Sequence, residues 1–311
     1  MCLALLMFIC LIILTPNEIS SSSNEDDYKD LSFYVVHDPI EILNDTAFSL
    51  YGFDGSGTEE DPYIIENYEI ESFGFLSNGI YVTGTTAHFV IRNCYLLAEY
   101  IGINVHDVAA DTAQIFNNTC IGTTDMGGGI GVSSTWGCSI INNTCSNHAS
   151  SIHTNEARNI IISGNLVSDC LYHGIGIRYT SSTDIIGNEI KNCSMYGVAI
   201  VGFTSSYNYV YQNTFTDNGK VETYNIDNER FGEINSQAYD EGYMNTWYDE
   251  EKKIGNYYSD YSGRGDYAID GPSESVDIYP QKIGVTRSPY LFIIGLLTII
   301  GLALKSTIKR N

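Results

Sequence analysis

A chain of 311 residues with 43% apolar and 17% charged content can bury one sizeable core and falls outside the disordered class. Its formal net charge of -23, from 38 acidic against 15 basic residues, repels a phosphate backbone, and no basic stripe offsets it, which excludes nucleic acid as a partner. Six prolines beside 29 glycines and 24 tyrosines favour a turn-rich, all-β protein.

Residues 1–23 are expected to form a signal peptide or N-terminal hydrophobic segment. The apolar run from Cys2 to Leu14, followed by Ser20-Ser21-Ser22-Ser23, has the length of a signal core rather than of a membrane span, although no positive residues precede it. Residues 24–62 read as a polar linker and an N-terminal cap, with strand-like runs between Phe33 and Ile42 and a glycine-rich turn through Gly52, Gly55 and Gly57.

From 63 to 216 one phrase repeats. A β-branched aliphatic stands three residues before an asparagine at Ile64/Asn67, Val90/Asn93, Ile115/Asn118, Ile140/Asn143, Ile162/Asn165, Ile185/Asn188 and Val210/Asn213. By subtraction the asparagines are 26, 25, 25, 22, 23 and 25 residues apart, the period of one solenoid coil. A second phrase, a small residue followed by apolar, variable and apolar positions, recurs as Gly79-Ile80-Tyr81-Val82, Gly102-Ile103-Asn104-Val105, Gly129-Ile130-Gly131-Val132, Ser151-Ile152-His153-Thr154, Gly174-Ile175-Gly176-Ile177 and Gly197-Val198-Ala199-Ile200. Such alternation is strand periodicity, with two columns facing inward and one outward. One coil cannot bury its own apolar face, but stacked coils share a continuous core. The expected fold is therefore a right-handed parallel β-helix of seven or more coils, with at least two short strands in each. Asn67, Asn93, Asn118, Asn143, Asn165, Asn188 and Asn213 would form a ladder at the recurring bend, because asparagine tolerates left-handed geometry and its amide can bond the next coil.

Registration of the small-residue phrase places His106, His153, Asn155 and Arg178 on one outward strip, with His173 and Tyr196 at its edge and a shallow groove over the small residues. A strip of this kind suits an extended sugar chain, since aromatic rings stack on pyranose faces and polar groups bond hydroxyls. Two facing carboxylates, which most glycosidases use, do not emerge from the columns. Cys120 and Cys145 share one position on neighbouring coils, as do Cys170 and Cys193, and buried thiol stacks are favoured over disulfides. Sequons at Asn44, Asn117, Asn142 and Asn192 permit glycosylation.

Residues 217–285 lose the repeat and turn aromatic and acidic, which reads as an irregular C-terminal cap. Residues 286–311 carry an apolar run from Tyr290 to Leu304 closed by Lys305, Lys309 and Arg310, the pattern of a transmembrane helix with a basic cytoplasmic tail.

The opening Asp61-Pro62-Tyr63-Ile64-Ile65-Glu66-Asn67, the coils, and the tail runs Gly255-Asn256-Tyr257-Tyr258-Ser259-Asp260-Tyr261 and Val276-Asp277-Ile278-Tyr279-Pro280 together resemble NosD-like β-helix surface proteins of prokaryotes, often archaea. That resemblance implies the β-helix and an accessory role in metalloenzyme maturation. No Met/His/Cys cluster of copper type accompanies it, however, and neither a metal site nor a cofactor is read from these residues. The sequence reading favours a membrane-anchored, single-pass extracellular protein that binds a glycan or another envelope component over a polysaccharide lyase or hydrolase.

Overall fold

A computed structural model describes residues 33–283 apart from 75, 125 and 221–233. The expected signal segment and the expected transmembrane run lie outside the described residues. The elements below belong to one compact unit that begins at Tyr34.

Three parallel sheets make the wall of a solenoid. The first, ten-stranded, runs from Val35–His37 through Tyr68–Ser72, Thr119–Gly122 and Thr144–Ser146 to Tyr257–Tyr258 and Gln281–Lys282. The second, eight-stranded, runs from Ile40–Ile42 through Gly128–Ser133, Ser150–Asn155, Ile175–Arg178 and Val198–Val201 to Ala238–Asp240. The third holds seven strands from Tyr63–Glu66 to Tyr209–Tyr211. Each full coil therefore contributes three strands. The solenoid also extends past both borders expected for the rod, because the segments read as caps add strands to its ends.

Inward columns build the core. Ile80, Ile103, Ile130, Ile152, Ile175 and Val198 stack in register, all fully buried. Burial of each such side chain stabilises by roughly 2 kcal/mol. The small residue before each one is required by the corner between the first and second sheets. A Cβ on Gly102 would come 2.7 Å from the Gly129 carbonyl oxygen, and one on Gly174 would come 2.7 Å from the Gly197 carbonyl oxygen and 3.0 Å from the Cys193 sulfur. Ser151 is the tolerated exception, its hydroxyl lying 3.3 Å from the Cys170 sulfur.

Most corners between the third and first sheets place a residue with positive φ before a buried residue that bonds the next coil. Between the third and first sheets the buried column is Asn118, Asn143, Asn165, Asn188, Asn213 and Asn256. Each Nδ2 donates to the Oδ1 of the next, at 3.0, 3.1, 2.9, 2.9 and 3.0 Å in order. Main-chain N–H groups share the same acceptors, as where Asn165 N reaches Asn188 Oδ1 at 2.9 Å.

Asn67 and Asn93 are not members of this column. Ile65 pairs with Ile91 and Ile91 with Ile115, so the positions in register with Asn118 are Tyr68 and Cys94. Asn67 and Asn93 instead occupy the preceding left-handed column, with φ of 61° and 52°, together with Asn117, Asn142 and Gln212. The tolerance of asparagine for left-handed geometry thus explains the first column, and amide bonding explains the second.

The ladder ends in a carboxylate. Asn256 donates its main-chain N–H and its Nδ2 to Asp277 Oδ2 at 2.7 and 3.2 Å. Every amide in the column presents donors toward the C-terminal end, and an acceptor-only group satisfies the last of them. A shorter ladder, from Asn208 to Asn245, occupies the corner between the second and third sheets, and Asn218 bonds Gln237 at the remaining corner.

The ends are covered by packed segments. Asn44 caps the helix Asp45–Tyr51, which packs Phe48 against Tyr63 at the N-terminal end. At the other end the aromatic tail is structural: Tyr258 stacks on Phe215 at 5.0 Å and on Tyr267 at 3.6 Å, and buried Trp247 donates to Asp240.

Candidate functional site

The outward face of the second sheet carries one column at Tyr81, Asn104, Gly131, His153, Gly176, Ala199 and Tyr239, in register. The glycines in it decide the relief. His153 folds its imidazole over the coil before it, where a Cβ on Gly131 would meet Nε2 at 2.6 Å and one on Gly128 would meet Nδ1 at 2.6 Å. On the other side, Gly176 has nothing within 4 Å of its absent Cβ. A cleft of about 380 Å³ opens over that glycine.

Four of the expected site residues line this cleft together: His153, Asn155, His173 and Arg178. Asn155 and Arg178 are direct strand partners two positions along from His153 and Gly176. Ser150, Thr154, Tyr172, Ile177 and Val201 complete the lining. Tyr172 is the informative addition. It precedes His173 in the same loop, so the offset that finds His173 from Gly174, taken one residue further, would have found it.

Two expected residues stand elsewhere. His106 is in register with Ser133, which is in register with Asn155, so it lies two coils away, and its Nδ1 is 2.9 Å from the Ser133 hydroxyl. Tyr196 is fully buried behind His173, with ring centroids 5.9 Å apart, and donates to Asp270 at 3.3 Å. Around it Met195, Ala199, Val201 and Tyr239 form a second apolar cluster on the outside of the sheet, which backs one wall of the cleft. Burial beside Asp270 pushes the Tyr196 phenol well up, so it remains a proton donor.

Burial pulls the His153 imidazole below its ordinary value, opposed by a hydrogen bond with the Ser150 backbone. Near neutral pH the ring is uncharged, and one of its two nitrogens is engaged by the Ser150 backbone. The guanidinium of Arg178 lies over the Tyr179 ring at 4.9 Å and donates to its hydroxyl at 3.4 Å, and no carboxylate pairs with it among the described residues. The lining contains no Asp or Glu. Among the described residues no three His, Cys, Asp or Glu side chains gather as a metal-holding group.

The sequon residues Asn117, Asn142 and Asn192 are exposed at left-handed corner positions, with φ of 55°, 55° and 56°. Asn44 is exposed as well, and its Oδ1 accepts the Ala47 N–H of the cap helix at 3.1 Å. The six described cysteines are free and buried, with Cys120 and Cys145 in direct register.

Among solved structures, the A-module of the mannuronan C-5 epimerase AlgE4 of Azotobacter vinelandii is 13% identical, over 74% of this chain and 78% of that one, at a TM-score of 0.32. The AlgE6 A-module from the same organism is 12% identical, over 73% and 71%, at 0.39. Neither likeness bears on activity at these values. No curated protein matches the chain. The family described as a right-handed beta helix region matches residues 78–236, about half of the sequence, and the chain belongs to that family.

Proposed function

We propose that this protein is a glycan-binding component of the cell envelope and that the cleft over Gly176 is its binding site. One observation carries the reading: the solenoid sets Tyr172, His153, Asn155, His173 and Arg178 around a single open cleft on a rigid sheet face. An aromatic face beside several neutral donors and acceptors matches the alternation of C–H and hydroxyl surfaces on a sugar ring, and a cleft near 380 Å³ is within the usual range of about 300 to 1,000 Å³ for small-ligand sites. The absence of carboxylates from the lining leaves the two-carboxylate route of glycoside hydrolysis without its residues there, which favours binding over cleavage.

A placement outside the cell, with anchoring by the run from Tyr290 to Leu304, belongs to the same proposal and is supported by the basic residues that follow that run. Protease treatment of intact cells tests the topology: an anchored external rod is shaved, whereas a protected rod contradicts it. A glycan array tests the function. Gly176→Leu fills the cleft without backbone strain, since nothing lies within 4 Å of the position. It is expected to abolish array binding while leaving the unfolding temperature within a few degrees of wild type. Undiminished binding by this variant would move the site elsewhere.

A further inference from the structure

Resting on the cleft as a glycan site, we infer that its ligand is an acidic saccharide, whose carboxylate is held by Arg178 while the sugar ring lies over Gly176 between His153 and Tyr172. The argument begins from charge. Among the described residues Arg92, Lys191, Lys220 and Lys252 lie within reach of a carboxylate, whereas Arg158, Arg178, Lys253, Arg264 and Lys282 do not. Of the unpaired cations, Arg178 is the one that lines the cleft. Glu241, two coils on, accepts the Gly202 N–H at 2.7 Å.

Orientation adds to charge. The guanidinium lies over the Tyr179 ring, its carbon 4.9 Å from the centroid, and Tyr179 itself is held at a φ of 49°, an unfavourable conformation for a bulky residue. A planar fork at the rim of a cleft is suited to a planar, two-oxygen anion. The other polar groups in the lining, His153, His173, Asn155 and Ser150, suit hydroxyls, so the ligand class combines one anionic group with several neutral ones. A neutral glycan would leave the guanidinium unused, and a highly charged polyanion would meet the field of a molecule whose net charge is -23.

Calorimetric titration of the full-length protein with a trisaccharide bearing a single uronic acid residue, its methyl ester and the same trisaccharide bearing a single sulfate instead tests this. The acid is expected to bind at least ten-fold more tightly than the ester. Arg178→Gln should remove the preference for the acid over the ester, and Gly176→Leu should abolish binding of both. Equal binding of acid and ester by the wild type would overturn the assignment of charge while leaving the cleft as a glycan site. Preference for the sulfated sugar over the uronate would overturn the carboxylate. If no sugar binds, or Gly176→Leu binds as wild type does, the cleft reading itself fails and this inference fails with it.

Discussion

At the scale of single residues, the ladder asparagines act through both ends of their amides. Asn165 donates to Ile140 O and to Asn188 Oδ1, each at 2.9 Å, and accepts from Asn143 N and Nδ2. Asn165→Ala leaves buried backbone groups without partners, and a loss of about 1 to 3 kcal/mol is expected in urea unfolding; an unchanged midpoint would show that the column contributes nothing. Two buried titratable groups act in opposite directions. Burial pushes the Asp277 carboxyl up to about 6. A raised acid favours the protonated folded state, so its contribution is full below about pH 4 and is lost as pH rises through 6, a change of about 3 kcal/mol. His148 is buried with its Nε2 3.3 Å from Cys120 O and its Nδ1 unpartnered, and burial pulls it down to about 4. A depressed base favours the neutral folded state, so its contribution is full above about pH 6.5 and is lost as pH falls through 4, again by about 3 kcal/mol. Relative to wild type, Asp277→Asn should therefore gain stability as pH rises across this window, and His148→Gln should lose it. Stability curves parallel to that of wild type would remove both groups from the account.

At the scale of the element, the second sheet shows how glycines in an outward column shape a surface that its inward columns leave fixed. Gly131 gives His153 its resting place and Gly176 leaves the cleft open. Gly131→Ala puts a methyl carbon where the His153 ring now lies, so the imidazole must rotate. The expected outcome is weakened ligand binding with a change in stability below about 1 kcal/mol, since only an outward side chain moves. The inner faces of the first sheet and its corners carry most of the cysteines. Burial pushes the Cys94 and Cys138 thiols up to about 12. All six described cysteines are expected to resist alkylation in the native protein and to label fully once it is denatured without reductant, as read by peptide mass. Protection of Cys120 and Cys145 after denaturation would mean that a disulfide joins those coils.

At the scale of the whole molecule, the solenoid has open ends, and its last segments close one of them. Removal of residues 236–283 would uncover the strands Thr214–Thr216 and Val198–Val201 and leave the main-chain N–H of Asn213 without its acceptor, Asn256 Oδ1. Exposed edges recruit other chains, so concentration-dependent association of the truncated protein is expected in light scattering; a monodisperse truncation would show that the tail is dispensable. Much of this architecture was legible beforehand. The coil period, the inward isoleucine columns and the small residue at each corner are local facts that repeat, and repetition turns a weak pattern into a determined fold. The strip bearing His153, Asn155 and Arg178 was legible for the same reason, because in-register stacking converts a sequence offset into a position in space. The slip at Asn67 and Asn93 came from two adjacent columns that both favour asparagine, one for its left-handed backbone and one for its amide. The tail did not look like coil because its strands are as short as the two residues Tyr257–Tyr258, and what joins them to the rod is the pairing of Asn256 with Asn213 and Asp277. The sequence alone determined the winding, since each coil repeats the same covalent instructions. Tertiary structure alone decided which outward residues share a cleft, because that depends on where neighbouring side chains fold, on His153 lying over Gly131 and on the space left above Gly176.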